Sequence, residues 1–289
     1  MSEVSIGDLA ALIGVGIAAG WLGSLVGIGG GIVVVPVLVI ALGVDFRVAV
    51  ASSLVAVIAT SVTAGSVYTG TGLANLRLGM VLEVATTIGA VAGGLAAILL
   101  STRFLAGVFA GVALTTALYM LRGAYRPRTR LVEAVVSARG WEETGTLAGA
   151  YFDEFRGGLV RYRGERVQVG LAVSLAAGGI SGMLGVGGGF LKVPAMNLGM
   201  NIPIKVASAT SNFMIGITAA ASVFVYFARG FVQPLVAAPL ALGVVAGSWA
   251  GAQTAGKAHP VVVKMILVVT LLFVALQMGL RSAGVEIGG

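Results

Sequence analysis

The 289-residue chain is 58% hydrophobic and only 10% charged, with a net charge of +7 and a mean hydropathy of +1.03. Soluble domains carry about 25% charged residues, so this composition indicates an integral membrane protein. The chain has no Cys and a single His, which excludes disulfides, thiol chemistry and a histidine metal cluster. No cofactor or metal is expected.

Apolar runs of about 20 residues mark membrane-spanning helices. The first run follows the acidic residues Glu3 and Asp8 and lacks the positive start of a signal peptide, so we expect it to be retained. The predicted spans are 7–26, 48–69, 79–100, 104–121, 168–184, 206–228, 234–255 and 261–280. Two shorter runs, 30–42 and 188–200, are predicted to be half-helices or re-entrant segments.

Each short run is tied to one copy of a glycine motif. The first copy holds Gly27, Gly29, Gly30, Gly31 and Pro36, and the second holds Gly185, Gly187, Gly188, Gly189 and Pro194. Gly and Pro both disfavour a continuous helix, so the motifs predict a structural break. In lipid, a break is tolerated only where protein or a water-filled cavity satisfies the freed backbone groups. Matched breaks in two halves of a chain point to the substrate site of a transporter.

The two motifs belong to a longer internal duplication. At an offset of 158, residues 20–93 align without a gap, and the identical pairs include Pro36/Pro194 and Thr60/Thr218. This predicts an all-α fold with two tandem transmembrane repeats, 1–121 and 167–289, joined by a linker at 122–166. If the short segments cross the membrane, the halves are inverted. If they re-enter, the halves are parallel. The acidic N-terminus favours the inverted arrangement.

The linker is the most basic part of the chain, because nine of the 18 Lys and Arg residues lie between 122 and 166. The positive-inside rule therefore places it in the cytoplasm. Interleaved acidic residues argue against nucleic-acid binding. Within the linker we predict a short helix at 131–139 and a β-hairpin of 150–154 and 159–163, which serves as a strap between the halves or as a gating flap.

Several residues could bind a small anion. Backbone amides at Gly29–Gly31 and Gly187–Gly189 would open two half-helices, and helix N-termini attract anions. Close helix packing is the alternative use of these glycines. Polar residues at matching positions could add hydrogen bonds to the anion or join helices: Ser52, Ser53, Thr210, Ser211 and Asn212.

Two ionisable residues lie in apolar segments. Lys192, whose counterpart in the first repeat is Val34, could pair with the anion, change protonation or extend to the membrane surface. Glu83 could couple protons, but its place near a helix end predicts a solvated position. An enzyme is not expected: Gly179–Gly182 is similar to the serine motif of rhomboid proteases, but the only His, His259, is predicted to lie in a loop.

The duplicated glycine motif, followed by Ala51–Leu54 in one half and Ala209–Asn212 in the other, resembles the sulfite exporter TauE/SafE family of membrane transporters. The family's Thr-Ser pair is present as Thr210-Ser211 and becomes Ser52-Ser53 in the first half. The resemblance implies a secondary transporter of small sulfur-containing anions such as sulfite, sulfoacetate or thiosulfate, with proton coupling, in the cell inner membrane. A passive anion channel and a membrane scaffold or sensor acting through the linker are the alternatives. The Gly-rich helices are compatible with a homodimer or with internal packing.

Overall fold

The computed structural model of the protein describes residues 6–26, 29–70, 73–124, 147–153, 158–254 and 260–284. In chain order its elements are α1 (Ile6–Val26), α2 (Gly31–Ile40), α3 (Phe46–Gly70), α4 (Leu76–Leu99), α5 (Thr102–Ala124), β1 (Ala148–Asp153), β2 (Gly158–Arg163), α6 (Val167–Leu184), α7 (Gly189–Pro194), a π-helical turn (Ala195–Gly199), α8 (Ile204–Phe227), α9 (Pro234–Thr254) and α10 (Pro260–Ser282). The prediction of a mostly helical protein with a small β-hairpin is confirmed.

Within these residues, seven helices are long and apolar enough to cross a bilayer: α1, α3, α4, α5, α6, α8 and α9. Helices suit a membrane because all of their internal backbone groups are paired within the segment. The eighth predicted span, 261–280, coincides with α10, whose segment Val268–Ser282 is a shorter apolar helix. Eight spans therefore remain a prediction.

The glycine motifs break the helices at their glycines. Four of these have φ values in the left-handed region, which side chains disfavour: Gly29 (86°), Gly30 (72°), Gly187 (80°) and Gly188 (73°). Pro36 and Pro194 instead lie inside the short helices α2 and α7. Gly185 has a φ of 71° and ends α6, while Gly27 is outside the residues described. The single half-helix expected at 188–200 is divided into α7 and the π-helical turn.

Each short helix returns along the helix before it. Gly30 packs against the carbonyl group of Ala19 in α1, and Gly188 packs against that of Ala177 in α6. At the far end of the second return, the amide of Glu165, just before α6, donates to the carbonyl of Met200 at 3.1 Å. The chain therefore comes back to the side on which α6 began.

Two pairs of long helices pack in parallel through glycines. Gly89 and Gly93 of α4 lie against the backbone of Leu175 and Gly179 in α6. The residues at an offset of 158 repeat these contacts between α9 and α1: Gly247 lies against Ile17, and Gly251 lies against Trp21. Residue numbers rise together in both pairs, so α4 runs parallel to α6 and α1 runs parallel to α9. We call these two contacts the glycine seams.

The remaining contacts give the relative direction of the two halves. α8 runs parallel to α4, because Gly79 lies near Thr210 and Gly94 lies near Val225. α8 turns back into α9 through a short connection in which Phe231 packs on Tyr226 at 6.3 Å between ring centroids. α9 and α1 therefore run opposite to α4, α6 and α8. Corresponding helices of the two halves, such as α1 and α6, thus point in opposite directions, as inverted repeats require; the duplication itself stays a prediction.

The β-hairpin covers one end of the helical bundle. Its strands pair antiparallel from Ala148 opposite Arg163 to Asp153 opposite Gly158. Tyr151 packs into an apolar cluster with residues of α4, α8 and the π-helical turn, and Tyr162 packs against the same cluster. The Tyr162 hydroxyl accepts a hydrogen bond from Asn75 at 3.3 Å, and burial raises the pKa of this phenol. The helix predicted at 131–139 lies outside the described residues.

Candidate functional site

The two glycine turns touch each other inside the bundle. A side chain at Gly31 would overlap the carbonyl oxygen of Gly185 and would lie 3.1 Å from the Cα of Val186. The hydroxyl of Ser53 donates to the same Gly185 oxygen at 2.8 Å. Gly31 is thus required for close approach, and the structure brings the start of α2, the end of α6 and the polar part of α3 to one point.

The start of α2 offers backbone amides at this point. The carbonyl of Gly30 accepts from the amides of Val33 and Val34 at 3.0 and 3.2 Å, so the helix begins directly at the turn. The first amides of a helix have no acceptor within it and carry partial positive charge. The start of α7 is a weaker counterpart, because this helix has only six residues before the π-helical turn.

The five polar residues predicted for the site are all buried, with exposed fractions of 0–1%. Ser52 and Ser53 lie in α3, and Thr210, Ser211 and Asn212 lie in α8, the two helices that cross beside the glycine turns. The crossing itself is a contact of the two helices, since a side chain on Gly216 would touch the Ser61 hydroxyl. Burial closes these groups off from both ends of the bundle.

The buried polar residues divide by their hydrogen bonds. Ser53 is bonded to Gly185, and the Thr210 hydroxyl oxygen accepts from the backbone amide of Asn75 at 3.0 Å. In contrast, the hydroxyl of Ser52 and both amide atoms of Asn212 are buried without a hydrogen-bond partner in the structure. Buried polar atoms normally have partners, so Ser52 and Asn212 are the groups here that can still accept a ligand.

Gly29 connects the first turn to the crossing helices. Its backbone lies so close to α3 and α8 that a side chain there would meet Ile215 at 2.7 Å and Val57 at 3.3 Å. The positive φ of Gly29 and this lack of space both require glycine at the position. Gly187, Gly188 and Gly189 are buried around the second turn.

Lys192 does not extend to the membrane surface. It is 1% exposed, and its ammonium group lies 3.5 Å from the Glu83 carboxylate and 2.8 Å from the Thr218 hydroxyl. The expectation that Glu83 is solvated is wrong, because this residue is 5% exposed. Its position seven residues into α4 suggested a helix end, but α6, α8 and the hairpin cluster cover that part of the helix.

Sequence reasoning missed two members of this region. Ser181 of α6 is fully buried with an unpartnered hydroxyl, and its Cβ would lie 3.3 Å from a Cβ added at Gly188. The sequence feature that could have indicated Ser181 is a hydroxyl four residues before Gly185 in an apolar helix. Thr218 was noticed only as half of an identical pair, since nothing in the sequence shows that it faces Glu83.

The long apolar helices enclose buried polar residues on α3 and α8, and some of these side chains have no hydrogen-bond partner. This combination defines a multi-pass membrane protein of the transporter class. Comparison with known families agrees: the model described as "Sulfite exporter TauE/SafE" matches residues 12–278. The chain therefore belongs to this family of membrane transporters, which also agrees with the expectation that it is not an enzyme.

A curated relative supports the same class. The chain is 27% identical over 277 residues to the "Probable membrane transporter protein YunE" of Bacillus subtilis (strain 168), and the match covers 92% of this chain and 96% of the relative. No solved structure matches the chain.

Proposed function

We propose that the protein is a secondary transporter of a small sulfur-containing anion, of the sulfite, sulfoacetate or thiosulfate class, and that the anion binds where the two glycine turns meet. The observation that carries the proposal is that the side chains of Ser52 of α3 and Asn212 of α8 are buried without hydrogen-bond partners, in two helices that pack beside the glycine turns. These groups donate hydrogen bonds, as an oxyanion requires once it has left water.

In this proposal the binding residues have separate roles. Backbone amides following Gly29 and Gly30 supply partial positive charge, and Ser52 and Asn212 supply hydrogen bonds. The packing of the helices around the anion is maintained by the remaining residues: Ser53, Thr210, Ser211, Gly187, Gly188 and Gly189. Lys192 supplies the positive charge that neutralises it.

We expect transport by alternating access, and the opposed directions of the two halves support this mechanism. Corresponding helices run in opposite directions, so a shift of one half relative to the other would open the crossing to one side and then to the other. The packing of α3 on α8 and of the two glycine turns joins the halves at the site. By the positive-inside rule, the basic linker supports a cytoplasmic location for the hairpin end of the bundle.

The test is flux in proteoliposomes that contain the purified protein, with radiolabelled sulfite, thiosulfate and sulfate, with and without a pH gradient. We expect one of these anions to accumulate in response to the gradient. Equilibration that ignores the gradient would favour a passive anion channel, and absence of flux for all three would contradict transport of this anion class.

The binding site is tested by Asn212→Leu, which preserves side-chain size and reproduces Leu54, the residue at the matching position of the first half. A lost hydrogen bond to a charged group costs about 1.5–3 kcal/mol, so KM should rise by roughly 10- to 100-fold. Thr63→Val is the control, because the Thr63 hydroxyl bonds only its own helix at Ala59 in the structure. Equal KM values for the two variants would remove Asn212 from the site.

A further inference from the structure

A buried ionic cluster lies beside the glycine turns. The Glu83 carboxylate lies 3.5 Å from the Lys192 ammonium group, and Thr218 joins the two: its hydroxyl accepts from Lys192 at 2.8 Å and donates to Glu83 at 2.6 Å. The side chains of Lys192 and Glu83 are 0% and 6% exposed. Three helices, α4, α7 and α8, each contribute one residue.

The fold does not need this cluster, because the matching half lacks it. At an offset of 158, Lys192 corresponds to Val34 and Glu83 corresponds to Ala241, while Thr218 keeps its threonine as Thr60. Thr60 merely bonds the carbonyl of Ala56 in its own helix. Replacing a buried ion pair with apolar residues is often neutral or stabilising, so packing alone gives no reason for charges in one half only.

The cluster adjoins both glycine turns. The amide of Lys192 donates to the carbonyl of Gly188 at 3.2 Å, which places Lys192 one turn into α7. Thr218 lies three residues after Ile215, whose side chain packs against Gly29, and therefore about one helical turn from it. An anion held at the turns would be close enough to compete with Glu83 for the ammonium group.

We propose that Glu83 is the proton-binding group of the transporter, and that its protonation frees Lys192 to neutralise the anion; this rests on the proposed function above. With both residues charged, the cluster is neutral, and an added anion would leave a net negative charge buried in the membrane. One proton on the Glu83 carboxylate gives the cluster a charge of +1, which a monovalent anion returns to zero and which reduces the net charge left by a dianion such as thiosulfate from −2 to −1. When the anion leaves, the proton leaves too, and the Lys192–Glu83 pair forms again.

Other ionisable groups near the cluster lie at the ends of its helices. Among the described residues, α4 carries Arg77 in its first turn, and α8 carries Lys205 in its first turn and Tyr226 near its last. α6 has no ionisable side chain, and on α5 the residue Tyr119 lines a surface groove with part of α7. Of the described ionisable groups on the helices packed around this cluster, Glu83 is the sole carboxylate that the bundle interior encloses.

The first test measures the proton stoichiometry of the unmodified protein. Proteoliposomes with the membrane potential clamped at zero receive thiosulfate, whose charge does not change near neutral pH, and a pH dye reports proton movement. We expect one proton per thiosulfate and accumulation of about tenfold per unit of pH gradient. A thiosulfate flux without proton movement would overturn this inference, while the passage of this class of anion through the protein would still stand. Absence of any thiosulfate, sulfite or sulfate flux would overturn both.

The second test replaces the carboxyl group. Glu83→Gln keeps the size of the side chain but cannot exchange a proton, so accumulation should fall to equilibration while downhill thiosulfate flux persists. Glu83→Asp keeps the titratable group and should still accumulate thiosulfate. Glu165→Gln is the matched control, because Glu165 is an exposed carboxylate bonded to Asn201 at 2.8 Å. Undiminished accumulation in Glu83→Gln would overturn the proposal.

The first test remains decisive if Glu83→Gln does not fold, because the proton stoichiometry is measured on the unmodified chain. Thr218→Val provides a third variant, with Thr60→Val as its counterpart in the other half. Only the former touches the ionic cluster, so we expect the pH dependence of transport to shift in Thr218→Val and to stay unchanged in Thr60→Val. Equal pH profiles would contradict a role for the cluster.

Discussion

Gly93→Ala is a direct test of the packing that joins the two halves. In the structure, a Cβ at Gly93 would overlap the carbonyl oxygen of Gly179 and would lie 2.7 and 2.8 Å from its carbonyl carbon and Cα. Carbon atoms in contact are normally about 3.5–4.0 Å apart, so α4 and α6 must separate by roughly 1 Å.

The cost of that separation can be worked out from dispersion. Each contacting atom pair contributes about 0.1–0.2 kcal/mol, and a gap of about 1 Å removes a quarter to a half of it. For roughly 30 atom pairs over two turns of the seam, the loss is about 0.8–3 kcal/mol. Alanine returns about 0.5–1 kcal/mol of helix propensity. The variant should therefore be destabilised by about 1 kcal/mol.

A matched control isolates the packing contribution. Gly111 lies within α5, and a Cβ added there would have no atom within 4 Å, so Gly111→Ala should gain helix propensity without a clash. The free energies of unfolding of the two variants should differ by about 2 kcal/mol. Gly251→Ala, at the matching position of the other glycine seam, should behave like Gly93→Ala.

The assay is equilibrium unfolding of the purified protein in mixed micelles, followed by circular dichroism. Equal free energies of unfolding for Gly93→Ala and Gly111→Ala would refute the close approach of α4 to α6. A loss in Gly93→Ala without a similar loss in Gly251→Ala would refute the equivalence of the two seams.

Two further predictions concern the surroundings of the site. Ser53→Ala leaves the buried carbonyl of Gly185 without its 2.8 Å hydrogen bond, so unfolding free energy should fall by about 1–3 kcal/mol in the same micelle assay, and an unchanged value would contradict this bond. Asn75→Ala removes the side chain that caps α4 by accepting from the amide of Leu78 at 3.0 Å. It also removes the hydrogen bond from Asn75 to the Tyr162 hydroxyl. We expect a loss of about 1 kcal/mol and faster proteolysis of the hairpin, and a hairpin as resistant as that of the unmodified protein would show that Asn75 does not anchor it.

The sequence was sufficient to predict the helices and the hairpin. Apolar runs long enough to span a bilayer must form helices, since lipid offers no hydrogen-bond partner to the backbone. The glycine motifs predicted the breaks because left-handed backbone at positions such as Gly30 and Gly188 requires glycine. These are local rules, and the structure confirms the mostly helical fold and the hairpin that they predict, although the segment 188–200 is divided and the helix predicted at 131–139 lies outside the described residues.

The details of the site could not be predicted from the sequence, because they depend on contacts between residues that are far apart in the chain. Ser53 and Thr210 looked equivalent to Ser52 and Asn212, but contacts with Gly185 and Asn75, distant in the chain, occupy the former pair. Sequence analysis therefore named the right neighbourhood without separating structural hydroxyls from unpartnered ones.

The amino-acid sequence by itself determined the class of protein, the helical segments and the positions of the two breaks, because hydrophobic length and glycine content act within a few residues. Only the tertiary structure decided that Glu83 is buried against Lys192, 109 positions away in the chain. The physical reason is that α4 and α7 are held near each other by α6 and α8, which pack against both of them. Burial of a charge beside its counter-ion is a property of that packing and leaves no local pattern in the sequence.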